Sequence, residues 1–260
     1  GLFESTLARS APHIDAGVRS ALFAMNLAGP SIAAFLALLY FTTERDRTRE
    51  ALAREHHLLE VEQARSERLL LSILPREIAD QLRDGATTIA ESQPDVSVLF
   101  ADLVGFTPLG EALGAHALVD LLNTAFTEFD DLAEEAGLEK IKTIGDAYMV
   151  VGGLPTPRAD HLVDLIQLAI AMCEAASRMQ TPNGESLQLR IGIDSGPVVA
   201  GVIGRRKFSY DVWGDTVNTA SRMESHGVPG RIQVTERVAT ATQERFHFEE
   251  RRSVEVKGKI

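Results

Sequence analysis

The sequence has a single cysteine, Cys173, set in an apolar helical run. One thiol excludes a disulfide within the chain and a cysteine-built zinc site. It also fits a reducing compartment. Excess positive charge is missing too: 26 Lys and Arg face 37 Asp and Glu, a formal net charge of −11. That argues against a nucleic-acid-binding surface as the main role. A polyanion such as a nucleotide would need metal ions or a few placed cations at its site. Internal repeats and low-complexity segments are absent. Apolar residues are plentiful, at 45%, and predict a packed fold. The 260 residues allow one sizeable core with an appendage, or two small domains. The chain begins at Gly1 without a methionine, which suggests a piece of something longer.

Charge is also absent from Ala21 to Phe41, ALFAMNLAGPSIAAFLALLYF. About 20 apolar residues span a bilayer core as a helix. Asn26 and Gly29-Pro30 weaken the run but are tolerated in membrane helices. A secretory signal fits poorly, because the run is too long, is not terminal and has no small-residue cleavage site after it. A buried helix of a soluble domain is the plainer alternative, but the charge-dense stretch that follows offers it no apolar partner. Arg45, Arg47 and Arg49 favour a cytoplasmic exit. Residues 1–20 are then a flank, 21–41 a transmembrane helix and 42–75 a cytoplasmic signalling helix. A seam through Leu52, His56, Leu59, Gln63, Ser66, Leu70 and Ile73 alternates steps of four and three, the pattern of a marginal coiled coil. Pro75 ends or kinks that helix. A short helix from Glu77 to Arg83 leads through a linker, 76–90, into a folded domain at 91–260.

That domain alternates strands and helices. Val96 to Ala101 is a continuous apolar run, read as a buried strand. Leu109 to Ala136 is helical, with Leu113, Leu118, Leu121, Leu122, Phe126 and Phe129 at helical spacings and Gly137 as terminator. LEKIKTIGDAYMV reads as a hairpin. A helix follows from His161 to Met179. Strands are expected at 187–194, 197–203, 207–212, 231–235 and 254–257, with a short helix at Val217–Ser225. The pattern predicts an α+β fold: a central, mainly antiparallel sheet flanked by helices.

Two stretches could carry chemistry. In FADLVGFT a buried strand ends at Asp102 and a Gly-containing turn opens a helix. Main-chain N–H groups at such a turn bind phosphate, and a carboxylate beside them can hold Mg²⁺. Alone, an Asp there is as readily a helix cap. If the hairpin lies beside that strand, Asp146 joins Asp102, and two close acids call for a cation between them. In YDVWGDTVNTASRME, Asn218 and Arg222 are four apart on one helical face. An amide and a guanidinium suit a charged phosphorus centre or its ribose. They could equally be a surface Asn and an Arg paired with Glu224 or Asp215.

FADLVGFT, KTIGDAYMV, LRIGIDSGPVVAGVIG and YDVWGDTVNTASRM, in that order, resemble the class III nucleotidyl cyclases, from about Val96 to Lys259. LLLSILPREIADQL is similar to the linker of membrane-anchored members, especially mycobacterial adenylyl cyclases. The resemblance implies an antiparallel cyclase domain with a ferredoxin-like core. It implies two Mg²⁺ or Mn²⁺ ions per site at Asp102 and Asp146, with Leu103 as a further metal position. Val104, Gly105, Phe106 and Thr107 would cradle the triphosphate, with Arg190 and Lys257 as basic contacts. Asn218 would orient the ribose and Arg222 stabilise the transition state. Lys142 and Asp211 would select the base, a pair that is typically Glu and Cys in guanylyl cyclases.

That pair has a chemical logic. Adenine offers an amino donor and a ring acceptor, which Asp and Lys complement; guanine presents the opposite pattern. The resemblance therefore implies ATP as substrate and a homodimer whose sites are shared between protomers. The location it implies is the cell membrane, with the catalytic domain cytoplasmic. A guanylyl cyclase, or a non-catalytic cyclase-like module, are the alternatives. Lys142 and Asp146, about 13 Å apart along an extended strand, are expected to serve different sites rather than each other.

Overall fold

The computed structural model describes residues 15–86, 89–181, 184–204 and 208–250. Lys257 and the strand expected at 254–257 lie outside the described residues. The chain divides into two compact units, Gly1–Arg68 and Leu69–Ile260.

From Ala16 on, the described residues of the first unit lie in one helix. α1 runs from Ala16 to Leu71 without interruption, through Pro30. The segments expected from sequence at 21–41 and 42–75 thus share one continuous helix, up to Leu71. It ends at Leu71, so Ile73 falls outside any helical seam. α1 is long and apolar enough to cross a membrane by length and composition. Within this unit Phe23, Met25, Leu27 and Phe41 are each more than 60% exposed.

In the second unit, α2 (Arg76–Arg83) starts on Pro75, where the missing N–H costs nothing. β1 (Ile89–Leu103) is the central strand. It is followed by α3 (Phe106–Leu113), α4 (Ala115–Glu135), β2 (Glu139–Ile144) and β3 (Ala147–Gly152). Then come α5 (His161–Arg178), β4 (Leu189–Ile203), β5 (Ser209–Trp213), α6 (Asp215–Ser225), β6 (Arg231–Val234) and α7 (Glu236–Thr242). The single helix expected at Leu109–Ala136 is two, because Gly114 breaks it at φ 74. α7 was not read from the sequence.

The sheet runs β2-β3-β1-β4-β5, antiparallel throughout, with β6 parallel to β4. The two strands expected at 187–194 and 197–203 are one 15-residue strand, β4. Its Ser195-Gly196-Pro197 stretch reads as a turn, yet β1 accommodates it. The β1–β4 register passes from Gln93↔Val198 to Val96↔Gly196, so Pro94 and Asp95 bulge opposite Pro197. A bulge absorbs residues that cannot donate to the ladder. Past it, β1 is buried on both faces. Leu99, Ala101 and Leu103 face Phe129 of α4 and Leu165 and Met172 of α5. Val98 and Phe100 face Leu74, Ile78 and Ala79 of the linker and Ala220 of α6. That is why 96–101 reads as an unbroken apolar run.

α6 lies hard against β4. A Cβ on Gly192 would stand 2.0 Å from the main-chain nitrogen of Glu224 and 2.4 Å from the carbonyl oxygen of Ala220. Both are backbone atoms, so α6 itself would have to move. Gly192→Ala is expected to destabilise the domain by about 3 kcal/mol, roughly 6–12 °C in Tm. A thermal melt followed by circular dichroism measures it; an unchanged Tm would show that the helix lifts without cost.

On the linker side, burial, then the charge of Glu77 on α2, push the Glu139 carboxyl from 4.5 up to about 7. Tyr210 beside it is raised by burial, then by Glu139, Glu91 and Glu77. The folded chain therefore holds the Glu139 proton more tightly than the unfolded chain does. Its contribution to stability is full below pH 4.5 and is lost as pH rises through about 7. Glu139→Gln should leave the Tm near wild type at pH 5. At pH 8 it should stabilise by about 1 kcal/mol, after discounting for solvent screening. Melts of both proteins at the two pH values decide it; equal Tm values at pH 8 would contradict it.

Candidate active site

The β-ladder brings one cluster together. Asp102, near the end of β1, is in register with Ala147 on β3 and with Arg190 on β4. Asp146 immediately precedes Ala147 in the hairpin turn, where Gly145 supplies a left-handed φ of 64. Arg190 donates from Nη2 to Asp102 Oδ2 at 2.5 Å, and its Nε lies 3.6 Å from Glu224 Oε1. Burial raises the Asp146 carboxyl above its ordinary value, and the neighbouring Asp102 adds to this while Arg190 opposes it. Glu224 is raised by burial, then by the charge of Asp102. The hydrogen bond to Asp102 raises Arg190 in turn. The hairpin and the β1 end thus place two carboxylates side by side.

The turn after β1 differs in one respect. The Val104 N–H donates to the Gln188 carbonyl at 2.9 Å, so it is already committed. Gly105 is the N-cap of α3 at φ 73, with no side-chain cap. The first-turn N–H groups of Phe106 and Thr107 therefore have no helical acceptor. Leu103 is 2% exposed, so only its main chain could reach a ligand.

A second pair lies across the sheet. Lys142 Nζ is 2.5 Å from Asp211 Oδ2, and Asp211 Oδ1 accepts from the Val212 N–H at 2.9 Å. β2 and β5 are opposite ends of the strand order, so the sheet curls enough for its two edges to meet. Lys142 pairs with Asp211, not with Asp146. Asn218 and Arg222 stand four apart on α6, the first exposed and the second half-buried. Glu224, which sequence reasoning passed over except as a possible partner of Arg222, instead faces Arg190. Its position two residues after Arg222 puts it on another side of the helix, a weak signal in sequence.

Two cavities of about 460 and 470 Å³ lie elsewhere, and neither is lined by any of these residues. The second borders His161, whose Nδ1 is 2.9 Å from Ser97 Oγ and whose Nε2 is 3.5 Å from Asp95. This Asp-His-Ser order is not a nucleophile array, because Ser97 is fully buried. It satisfies polar groups where α5 meets β1.

Comparison with known proteins gives the family of the folded unit. The sequence model of the adenylate and guanylate cyclase catalytic domain matches residues 88–260. An adenylate cyclase of Mycobacterium tuberculosis is 46% identical over 208 residues, covering 80% of this chain and 47% of that protein. The human guanylate cyclase soluble subunit beta-2 is 39% identical over 226 residues, covering 86% of this chain and 37% of its own. This chain thus spans about half or less of the curated relatives it matches. Among solved structures, the catalytic core of a rhodopsin-guanylyl cyclase with converted specificity, in complex with ATPαS, superposes with a TM-score of 0.62. It is 38% identical and covers 65% of this chain and 92% of that one. With two carboxylates side by side at the β1 end and a Lys–Asp pair across the curled sheet, the chain belongs to the adenylate and guanylate cyclase catalytic domain family, the class III nucleotidyl cyclases.

Proposed function

We propose that the chain is an adenylyl cyclase that converts ATP to 3′,5′-cyclic AMP and pyrophosphate, with sites shared between two copies. The observation that carries this is the Lys142–Asp211 contact at 2.5 Å. Two residues 69 apart in sequence meet as a donor beside an acceptor, the complement of the adenine edge. A mycobacterial adenylate cyclase as a 46% identical relative supports ATP. So does a related guanylyl cyclase core that takes ATPαS once its specificity is converted.

Asp102 and Asp146, side by side at the β1 end, offer only hard oxygens, the ligand type of Mg²⁺ or Mn²⁺. Leu103 would add its carbonyl. Held by Asp102 and Asp146, such ions would supply Lewis acidity for the 3′-hydroxyl and counter-charge for the triphosphate. The amides of Gly105, Phe106 and Thr107 would hold phosphate oxygens at the uncapped start of α3. Asn218 would orient the ribose, and Arg222 would meet the charge that develops at the α-phosphorus. Arg190 and Lys257 would contact the triphosphate. No side chain is assigned as general base; positioning and charge carry the reaction.

The acidic pair and the Lys–Asp pair lie on different parts of one chain, outside both cavities. In a head-to-tail homodimer each site would take its carboxylates from one protomer and Lys142, Asp211, Asn218 and Arg222 from the other. α1 would anchor the chain in the membrane, with Arg45, Arg47 and Arg49 on the cytoplasmic side.

The test is cyclic nucleotide production from ATP and from GTP, each with Mg²⁺ and Mn²⁺. Cyclic AMP as the main product is expected. Preference for GTP would make the chain a guanylyl cyclase, as the 39% identical human relative is named. No product from either would leave a non-catalytic module.

A further inference from the structure

We infer that Glu224 is a positioning residue for Arg190, the carboxylate onto which the guanidinium closes when a divalent cation takes Asp102. This rests on the cyclase reading above. In the structure Arg190 is divided between two acids. Its Nη2 is engaged with Asp102 at 2.5 Å, while its Nε stands 3.6 Å from Glu224 Oε1. The second distance is too long for a hydrogen bond. The Nε is nevertheless buried and has no other partner among the described residues. A buried donor without an acceptor is costly, and the nearest remedy is a shift of roughly 0.7 Å toward Glu224.

The acceptor is held in place for this. Glu224 is 8% exposed. Its main chain is pressed onto β4 at Gly192, two residues from Arg190. Its other contact is a hydrogen bond from Ser225 Oγ at 3.2 Å. With α6 fixed, the flexible Arg190 side chain is the part that moves. With its charge met by a cation, Asp102 would no longer hold the guanidinium. Glu224, buried and negative, then becomes its counter-ion. The planar fork can meet Glu224 through Nε and one Nη, and its remaining donors stay free for phosphate oxygens.

The test measures Mn²⁺ binding by the full chain in detergent micelles without nucleotide, from the electron paramagnetic resonance of free Mn²⁺. Glu224→Gln leaves Arg190 wholly on Asp102 and should weaken Mn²⁺ binding about fivefold. In an Arg190→Gln background the same change should alter binding by less than about twofold. Glu224→Asp should fall between wild type and Glu224→Gln. If Glu224→Gln fails to fold, Glu224→Asp carries the cycle in its place. An equal loss in both backgrounds would mean that Glu224 acts only as local charge, and no loss in either would mean that it does nothing here; each overturns the inference. In turnover, Glu224→Gln should raise the KM for ATP more than it lowers kcat. A wild type that binds Mn²⁺ but makes no cyclic nucleotide defeats the cyclase reading and leaves the Mn²⁺ cycle to decide Glu224. A wild type that binds no Mn²⁺ defeats both.

Discussion

Asp102→Ala is expected to lower cyclic nucleotide production by about 10³-fold or more, because it removes half of the acidic pair at the β1 end. The fold should survive. The side chain is 15% exposed at the end of β1 and makes one ion pair, to Arg190. The Val98–Leu103 core around it is apolar and untouched. Arg190 retains Glu224 as a neighbour, so no guanidinium is left without a counter-charge. Asn218→Ala should be equally inactive with an intact fold, since that side chain is exposed on α6. Mixing the two proteins gives the sharper result. If sites are shared, half of the random dimers are mixed, and each mixed dimer holds one site free of both changes. Activity should then recover to about a quarter of wild type. No recovery, with mixed dimers shown to form, would mean that each chain builds its site alone.

What the sequence disclosed depended on how local the signal was. The buried strand at Val96–Ala101 and the hairpin at 139–152 were legible because apolar runs and a Gly turn are local features. Asp102 and Asp146 were legible as a pair because the hairpin only had to lie beside the strand before it. Lys142 and Asp211 were not readable from spacing. They meet because β2 and β5, at opposite ends of the ladder, are curled toward each other, and only family resemblance linked them. β4 was misread as two strands, since Ser195-Gly196-Pro197 is turn chemistry; the bulge that absorbs it sits at Pro94-Asp95, about a hundred residues away. Glu224 carried only the weak signal of its spacing from Arg222. Its meaning comes from the Gly192 contact, which turns a surface-type residue into a buried acid beside Arg190.

The second large effect concerns the base. Lys142→Glu together with Asp211→Cys is expected to lower kcat/KM for ATP by about 10²-fold or more and to raise it for GTP. The argument starts from the ion pair. Asp211 is 16% exposed and balanced by Lys142 at 2.5 Å. Lys142→Glu alone would face one acid with another in a half-buried place, so a loss of activity there could be a loss of structure. Asp211→Cys alone would leave a cation without its partner. The double change removes both charges of the pair and leaves a single acid, now at position 142, opposite a thiol. Guanine offers N–H donors and a carbonyl where adenine offers a donor and a ring acceptor. The acid can take the guanine N–H groups, and adenine's ring nitrogen loses its donor. Initial rates with both nucleotides, in Mn²⁺, give the ratio directly. Wild-type preference for ATP retained in a folded double variant would show that the Lys142–Asp211 contact holds the sheet edges together and does not read the base.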